Sequence, residues 1–221
     1  MKKALPVLAI AFIAFTSAPA QVLTWDVQGD NNPATLPADF IDVNLSENTG
    51  FNTVTRVGVT QSGAANNAFS SNNWNLGAFN ESDKYITFSL QADPGFSVTL
   101  TDLQYVISGS NTAPGTGNWG YSIGGGSFVL QPAFSISAAN SLATWDFADF
   151  TTDQAVEFRF WAYGATSVTG GAAASTGVVR IGNVAGNDLI LAGQAIPEPS
   201  TLGLIGFGLL GAWAFGRRIR G

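Results

Sequence analysis

Apolar and polar side chains alternate with a period of two along most of the middle of the chain. In residues 84–90, Ile86, Phe88 and Leu90 share one face. After the turn Asp93-Pro94-Gly95, Phe96, Val98 and Leu100 repeat the pattern, and Leu103, Tyr105 and Ile107 continue it. In residues 155–163, Val156, Phe158, Phe160 and Ala162 point one way, while Glu157, Arg159, Trp161 and Tyr163 point the other. Alternation with polar partners predicts half-buried antiparallel strands. Shorter runs predict further strands at 22–27, 53–59, 118–123, 127–130, 177–184 and 188–191. Turn residues separate them: Asp30-Asn31-Asn32-Pro33, 111–117, Gly124-Gly125-Gly126 and Gly170-Gly171. The middle of the chain shows no helical period, and no fixed-length repeat of the kind a β-helix or propeller needs. Nine or ten short strands predict an all-β, antiparallel, jelly-roll-like β-sandwich.

The two ends follow different rules. Lys2 and Lys3 precede an apolar run from Ala4 to about residue 15, and Ala18-Pro19-Ala20 fits the small-x-small cleavage pattern. About a dozen apolar residues are too few for an easy bilayer span. Residues 1–20 are therefore expected to be a signal peptide, cut after Ala20 by a signal peptidase of the export machinery. At the other end Pro197 and Pro199 are expected to stop both helix and central strand, which places the boundary of the body at residue 195. Residues 201–216 carry no charge. As a helix capped by Ser200 or Thr201 they would span about 24 Å, and flanking arginines can snorkel to complete a crossing of ~30 Å. Arg217, Arg218 and Arg220 after the run place that end in the cytoplasm and the body across the membrane. The domains are thus residues 1–20, a body at 21–195 and a tail at 196–221.

Composition narrows what the body can do. About 175 residues suit one domain with a real core. The chain has no cysteine and no histidine. Disulfides and thiolate chemistry are ruled out, as are a Ser-His-Asp triad and the usual zinc ligands. The body carries four basic side chains, Arg56, Lys84, Arg159 and Arg180, against fourteen acidic ones, a net charge of −10 where the full chain has −6. Such a surface repels nucleic acid.

Three constellations remain as candidates. Asp146, Asp149 and Asp153 lie close in sequence, and a glycosidase needs two carboxylates ~5–9.5 Å apart. The plainer reading is turn and strand-end aspartates, so no catalytic residue and no enzyme activity is expected. Asp26, Asp30 and Asp188, with Asn31 and Asn32, offer oxygen ligands for a structural calcium ion, which takes six to eight of them. The competing reading is side chains that close Asx-turns without metal, so no cofactor is expected. Trp74, Trp161 and Tyr163 are candidates for a sugar-stacking platform, against burial between sheets or under loops. Trp25, Trp119 and Trp145 are expected in the core. Thr53-Val54-Thr55 and Thr99-Leu100-Thr101 are isolated and form no regular threonine array of the kind that binds ice. The sequons at Asn44 and Asn80 are expected to be incidental.

Pro197-Glu198-Pro199, a short Gly/Leu-rich apolar run and the final arginine cluster, together residues 196–221, resemble the PEP-CTERM sorting signal. Tails of this type are also catalogued as an ice-binding-protein C-terminal domain. The resemblance implies a Gram-negative, exopolysaccharide-producing host. It also implies transient membrane anchoring and processing near the Pro-Glu-Pro motif by an exosortase, a membrane transpeptidase-like enzyme. A second resemblance covers the body. It rests on Trp25-Asp26, the run Ala68 to Asn75, Tyr85 to Leu90 with the Asp93-Pro94-Gly95-Phe96 turn, Phe158 to Gly164, and Val179-Arg180-Ile181-Gly182-Asn183-Val184. This order is similar to uncharacterised sandwich bodies that precede such tails in planctomycete- and verrucomicrobial-type bacteria. The pattern carries an aspartate where this chain has Gly182, so no metal role carries over to that position. Taken together, an exported cell-surface or matrix protein with a non-enzymatic structural or adhesive role is expected. The alternative is a carbohydrate-binding module for exopolysaccharide, and the remote alternative an acidic-residue glycoside hydrolase.

Overall fold

The structure is a computed structural model that describes residues 20–48, 50–63 and 66–198. The expected signal peptide through residue 19, the apolar run 201–216, Arg217, Arg218 and Arg220 lie outside the described residues, as do Ala18 and Pro199. Among the described residues no helix is long and apolar enough to cross a membrane.

The described chain is all strand and loop. In order the strands are β1 (Ala20–Trp25), β2 (Leu36–Pro37), β3 (Phe40–Ile41), β4 (Thr53–Val57), β5 (Thr60–Gln61), β6 (Ala68–Asn72), β7 (Tyr85–Leu90) and β8 (Phe96–Gly109). They continue with β9 (Pro114–Ile123), β10 (Val129–Leu130), β11 (Phe134–Ser135), β12 (Leu142–Thr152), β13 (Val156–Ser167), β14 (Val179–Gly182) and β15 (Leu189–Pro197). They form two antiparallel sheets. One runs β3-β1-β15-β8-β14-β6-β5, with β12 on the other edge of β8; the second runs β10-β9-β13-β7-β4-β2, with β11 also on β9.

The faces that alternation predicted to be inward are the ones that meet between the sheets. Phe88 of β7 and Phe158 of β13 stack at 5.0 Å, and Trp25 of β1 closes on Phe88 at 4.6 Å from the opposite sheet. Trp119 packs on Phe160 at 5.2 Å. Trp25, Trp119 and Trp145 lie in the core, as expected. With no disulfide, this aromatic layer carries the fold.

Two features depart from the sequence reading. The alternation read at 96–100 and continued at 103–107 belongs to one strand, β8. Its alternation shifts between Leu100 and Leu103 because Thr101 is an extra residue: Asp102 pairs with Ala192 of β15 and Leu100 with Gly193. This is a β-bulge, which changes the inward parity without ending the strand. The second departure is at Pro197. Strand β15 runs through the expected boundary at 195 and ends at Pro197, which pairs with Phe96. An antiparallel ladder alternates bonded and non-bonded pairs. The Glu198 N–H donates to the Gly95 carbonyl at 2.9 Å, so Pro197 falls at a non-bonded position toward β8. A proline is accommodated there because no ladder bond to β8 needs its missing N–H.

Candidate functional site

The bulge in β8 shapes an open groove on the outer face of the first sheet. Both neighbours of β8 are irregular at the same level. Asp146 of β12 pairs with Asp102 and Phe150 with Leu100, which leaves residues 147–149 bowed out. On the other side Gly193 approaches so closely that a Cβ there would lie 2.2 Å from the Thr99 carbonyl oxygen. The result is a groove of about 660 Å³ lined by Thr99, Thr101, Asp102, Asp146, Asp149 and Gln194, among others. The Thr101 hydroxyl donates to the Asp102 carboxylate at 2.9 Å, and the Gln104 amide does so at 3.2 Å. Asp102 and Asp146 lie directly opposite across the strands, an arrangement in which like charges repel.

The groove gathers Asp146 and Asp149 from the predicted carboxylate trio but not Asp153. That residue lines a separate hollow of about 320 Å³ with Asp93 and Glu198. The sequence reading missed Asp102, Thr101 and Gln194 as neighbours of Asp146. It had no strand at 142–152, and only the pairing of β12 with β8 brings these residues together.

The aromatic platform is not an open face. Trp161 does project from the outer side of β13, as alternation predicted, yet it is only 1% exposed. Phe79 and Phe128 close over it edge-on, each at 5.4 Å, and its indole N–H donates to the Glu81 carbonyl at 3.1 Å. Trp74 is also 1% exposed and donates to the Ser71 carbonyl at 2.8 Å. Tyr163 is half-buried under Phe79, and its hydroxyl donates to the Asn118 amide oxygen at 2.7 Å. The loop between β6 and β7 covers the rings that exposed sugar faces would need. Arg159 fastens the same surface: it pairs with Glu157 at 2.7 Å and lies over the rings of Tyr85 and Phe128.

The calcium candidates are used in other ways. Among the described residues no group of three or more Asp or Glu side chains is placed to hold a metal ion. Asp26 accepts the Gln28 N–H at 2.8 Å, an Asx-turn. Asp30 contributes its backbone, accepting the Asn67 N–H at 2.7 Å. Asn32 is buried; its amide donates to the Ser62 carbonyl and its oxygen accepts from the Ser70 N–H and from Arg56. Asp188 is fully buried, and its carboxylate accepts the N–H groups of Val27 at 3.1 Å and Val184 at 3.3 Å. Gly182 abuts this carboxylate. A side chain at 182 would meet Val27 Cγ2 at 2.1 Å and would need a φ of +103°, so glycine fits here and the aspartate of the resembling pattern does not.

Burial pushes the Asp188 carboxyl above its ordinary range; the two N–H bonds oppose the shift and the nearby charge of Asp26 adds to it. A carboxyl whose folded pKa is raised binds its proton more tightly in the folded state, so its charged form costs stability at neutral pH. That cost should fade as pH falls through the raised pKa toward the ordinary ~3.9. Acidification from neutral pH should therefore favour the folded wild type relative to Asp188→Asn. Melting temperatures that shift identically with pH in the two proteins refute the assignment.

Three comparisons bear on this arrangement. A search of curated proteins finds no match. Among solved structures, one described as "CBM4 structure and function" is 12% identical, covers 69% of this chain and 93% of its own, and aligns with a TM-score of 0.38; a score that low carries no argument about fold or ligand. Residues 195–220, from the end of β15 onward, match the PEP-CTERM protein-sorting motif, so this is an exported protein that carries a substrate signal for exosortase-type sorting at the membrane and the cell surface.

Proposed function

We propose that the protein crosses the inner membrane behind its signal peptide and is held transiently by residues 201–216, with Arg217, Arg218 and Arg220 on the cytoplasmic side. An exosortase-type enzyme then processes it near Pro197-Glu198-Pro199. The released body acts as a non-enzymatic structural or adhesive component of the cell surface or the exopolysaccharide matrix. The observation that carries this reading is the sorting motif itself, which begins within the last strand of the sandwich. The inventory of the body supports it: Arg56, Asp188 and the Arg159–Glu157 pair are committed to holding backbone and loops together. The test is fractionation of a Gram-negative host with and without its exosortase. The body should reach the surface or matrix fraction only when the enzyme is present. Equal distribution in both hosts removes the proposal.

A second reading, carbohydrate binding, is favoured by one observation, the groove over β12, β8 and β15. Its volume is in the range of small-ligand sites, and its carboxylates and hydroxyls suit the hydroxyl groups of a neutral sugar. On this reading the contact residues are Asp102, Asp146 and Thr101, while Trp74, Trp161 and Tyr163 are packed away from the groove. A glycan array should show binding to a neutral polysaccharide that Asp146→Ala weakens at least tenfold. An array with no bound glycan removes this reading and leaves the first intact.

A further inference from the structure

The sorting signal and the folded body share residues. The matched segment begins at residue 195, and Ala195, Ile196 and Pro197 pair with Val98, Ser97 and Phe96 of β8. The Glu198 N–H adds a bond to the Gly95 carbonyl, and the Ser97 hydroxyl donates to the Glu198 carboxylate at 3.3 Å. From these contacts we infer that the folded sandwich holds the sorting motif in a latched state, and that processing requires Ala195–Glu198 to peel away from β8. The inference rests on the proposal that the tail is processed.

Two physical arguments carry it. Enzymes that act on a peptide bond commonly grip an extended substrate through its backbone N–H and C=O groups. Here those groups on one side of Ile196 and Glu198 are directed to β8. The second argument is reach. Only Pro199 and Ser200 separate Glu198 from the apolar run, about 7 Å of extended chain. With the latch closed, the body sits almost against the membrane surface and crowds the motif. Freeing four residues adds roughly 13 Å at ~3.3 Å per residue.

The rest of β15 is held more firmly. Leu189 and Leu191 are fully buried, and β1 and β8 flank them on both sides. Among the described residues β1 pairs with β15 as far as Gly193, and Pro197 and Glu198 are exposed. Opening from the C-terminal end therefore meets a doubly paired stretch at Gly193. Glu198 also shares its hollow with Asp93 and Asp153, and like charge there works against the closed latch.

The chain has no cysteine, so Ser97→Cys with Ile196→Cys, a register pair, forms an unambiguous staple. Directly opposed strand residues lie within the Cα range that a disulfide bridges. In a host with the sorting enzyme, the oxidised full-length variant should lose its tail at least tenfold more slowly than the same variant kept reduced. Ser97→Pro, which removes an N–H facing β15 and the hydroxyl bond to Glu198, should be processed faster than wild type. An oxidised staple processed as fast as its reduced form overturns the inference, as does a Ser97→Pro rate at or below that of wild type. A wild type that keeps its tail in that host overturns the proposed function and this inference together.

Discussion

Replacing Arg56 by methionine should destabilise the body by about 1–3 kcal/mol, the range seen when buried acceptors are left without their donor. Arg56 sits on β4 with no carboxylate beside it. Its five N–H groups are all used: Nε on Ser71 Oγ at 2.9 Å, Nη1 on the Pro33 and Ala34 carbonyls at 2.9 and 2.8 Å, and Nη2 on Asn32 Oδ1 and the Ser70 carbonyl at 2.8 and 3.1 Å. The guanidinium also lies over the Phe69 ring at 3.5 Å. Burial lowers its pKa to about 10, which leaves it charged at neutral pH. It thus ties the 31–34 turn and β6 to β4, across the two sheets.

Methionine would keep the apolar stem and lose every bond. The Asn32 oxygen would still receive the Ser70 N–H, and the Ser70 carbonyl the Ser62 N–H. The Pro33 and Ala34 carbonyls would be left without this donor. Lysine should recover only part of the loss, because one ammonium has three donors and no planar fork. Urea denaturation of the variants at fixed pH reads the difference. A loss below about 1 kcal/mol for methionine would show that the cluster is not structural.

The triple substitution Pro197→Ala, Glu198→Ala and Pro199→Ala should abolish maturation and leave full-length chain in the membrane. The apolar run and the terminal arginines alone suffice to insert and orient the chain, so the variant should be anchored normally. What it loses is the mark: Glu198 is the one charge between Asp188 and Arg217. The structure changes part of the expected reason. The sequence suggested that the prolines keep this segment out of the sheet, yet Pro197 is the last residue of β15. Pro197 falls where no N–H toward β8 is needed, and the Glu198 N–H still bonds the Gly95 carbonyl beyond it, so the proline does not keep the segment out of the sheet. Processing of the triple variant at the wild-type rate would show that the motif is not what the enzyme reads.

Much of the sandwich was legible because burial imposes a period of two. The inward faces of β7, β8 and β13 could be read directly from Phe88, Val98 and Phe158. The bulge at Thr101 was not, because a shift in parity looks the same in sequence whether the strand bends or stops. Strand β12 was missed because Asp146 and Asp149 on its exposed side read as turn residues; its inward Trp145 and Phe147 carry the alternation that could have found it. The groove depends on pairing between residues some forty positions apart, which local pattern does not encode. Trp161 shows the same limit. Its side of the strand was read correctly, while its cover by Phe79 and Phe128 comes from loops whose sequence gives no sign of where they fold. Arg56 left no local signal either, since its five acceptors, three backbone carbonyls and the side chains of Asn32 and Ser71, lie well away from it along the chain.

The most direct test of the sorting assignment is the C-terminal mass of the steady-state protein, taken from a host that contains the exosortase. The expected mature chain ends near Pro197-Glu198-Pro199 and lacks both the apolar run and residues 217–221. A steady-state chain that still carries Arg217, Arg218 and Arg220 contradicts it, and would make the tail a permanent anchor.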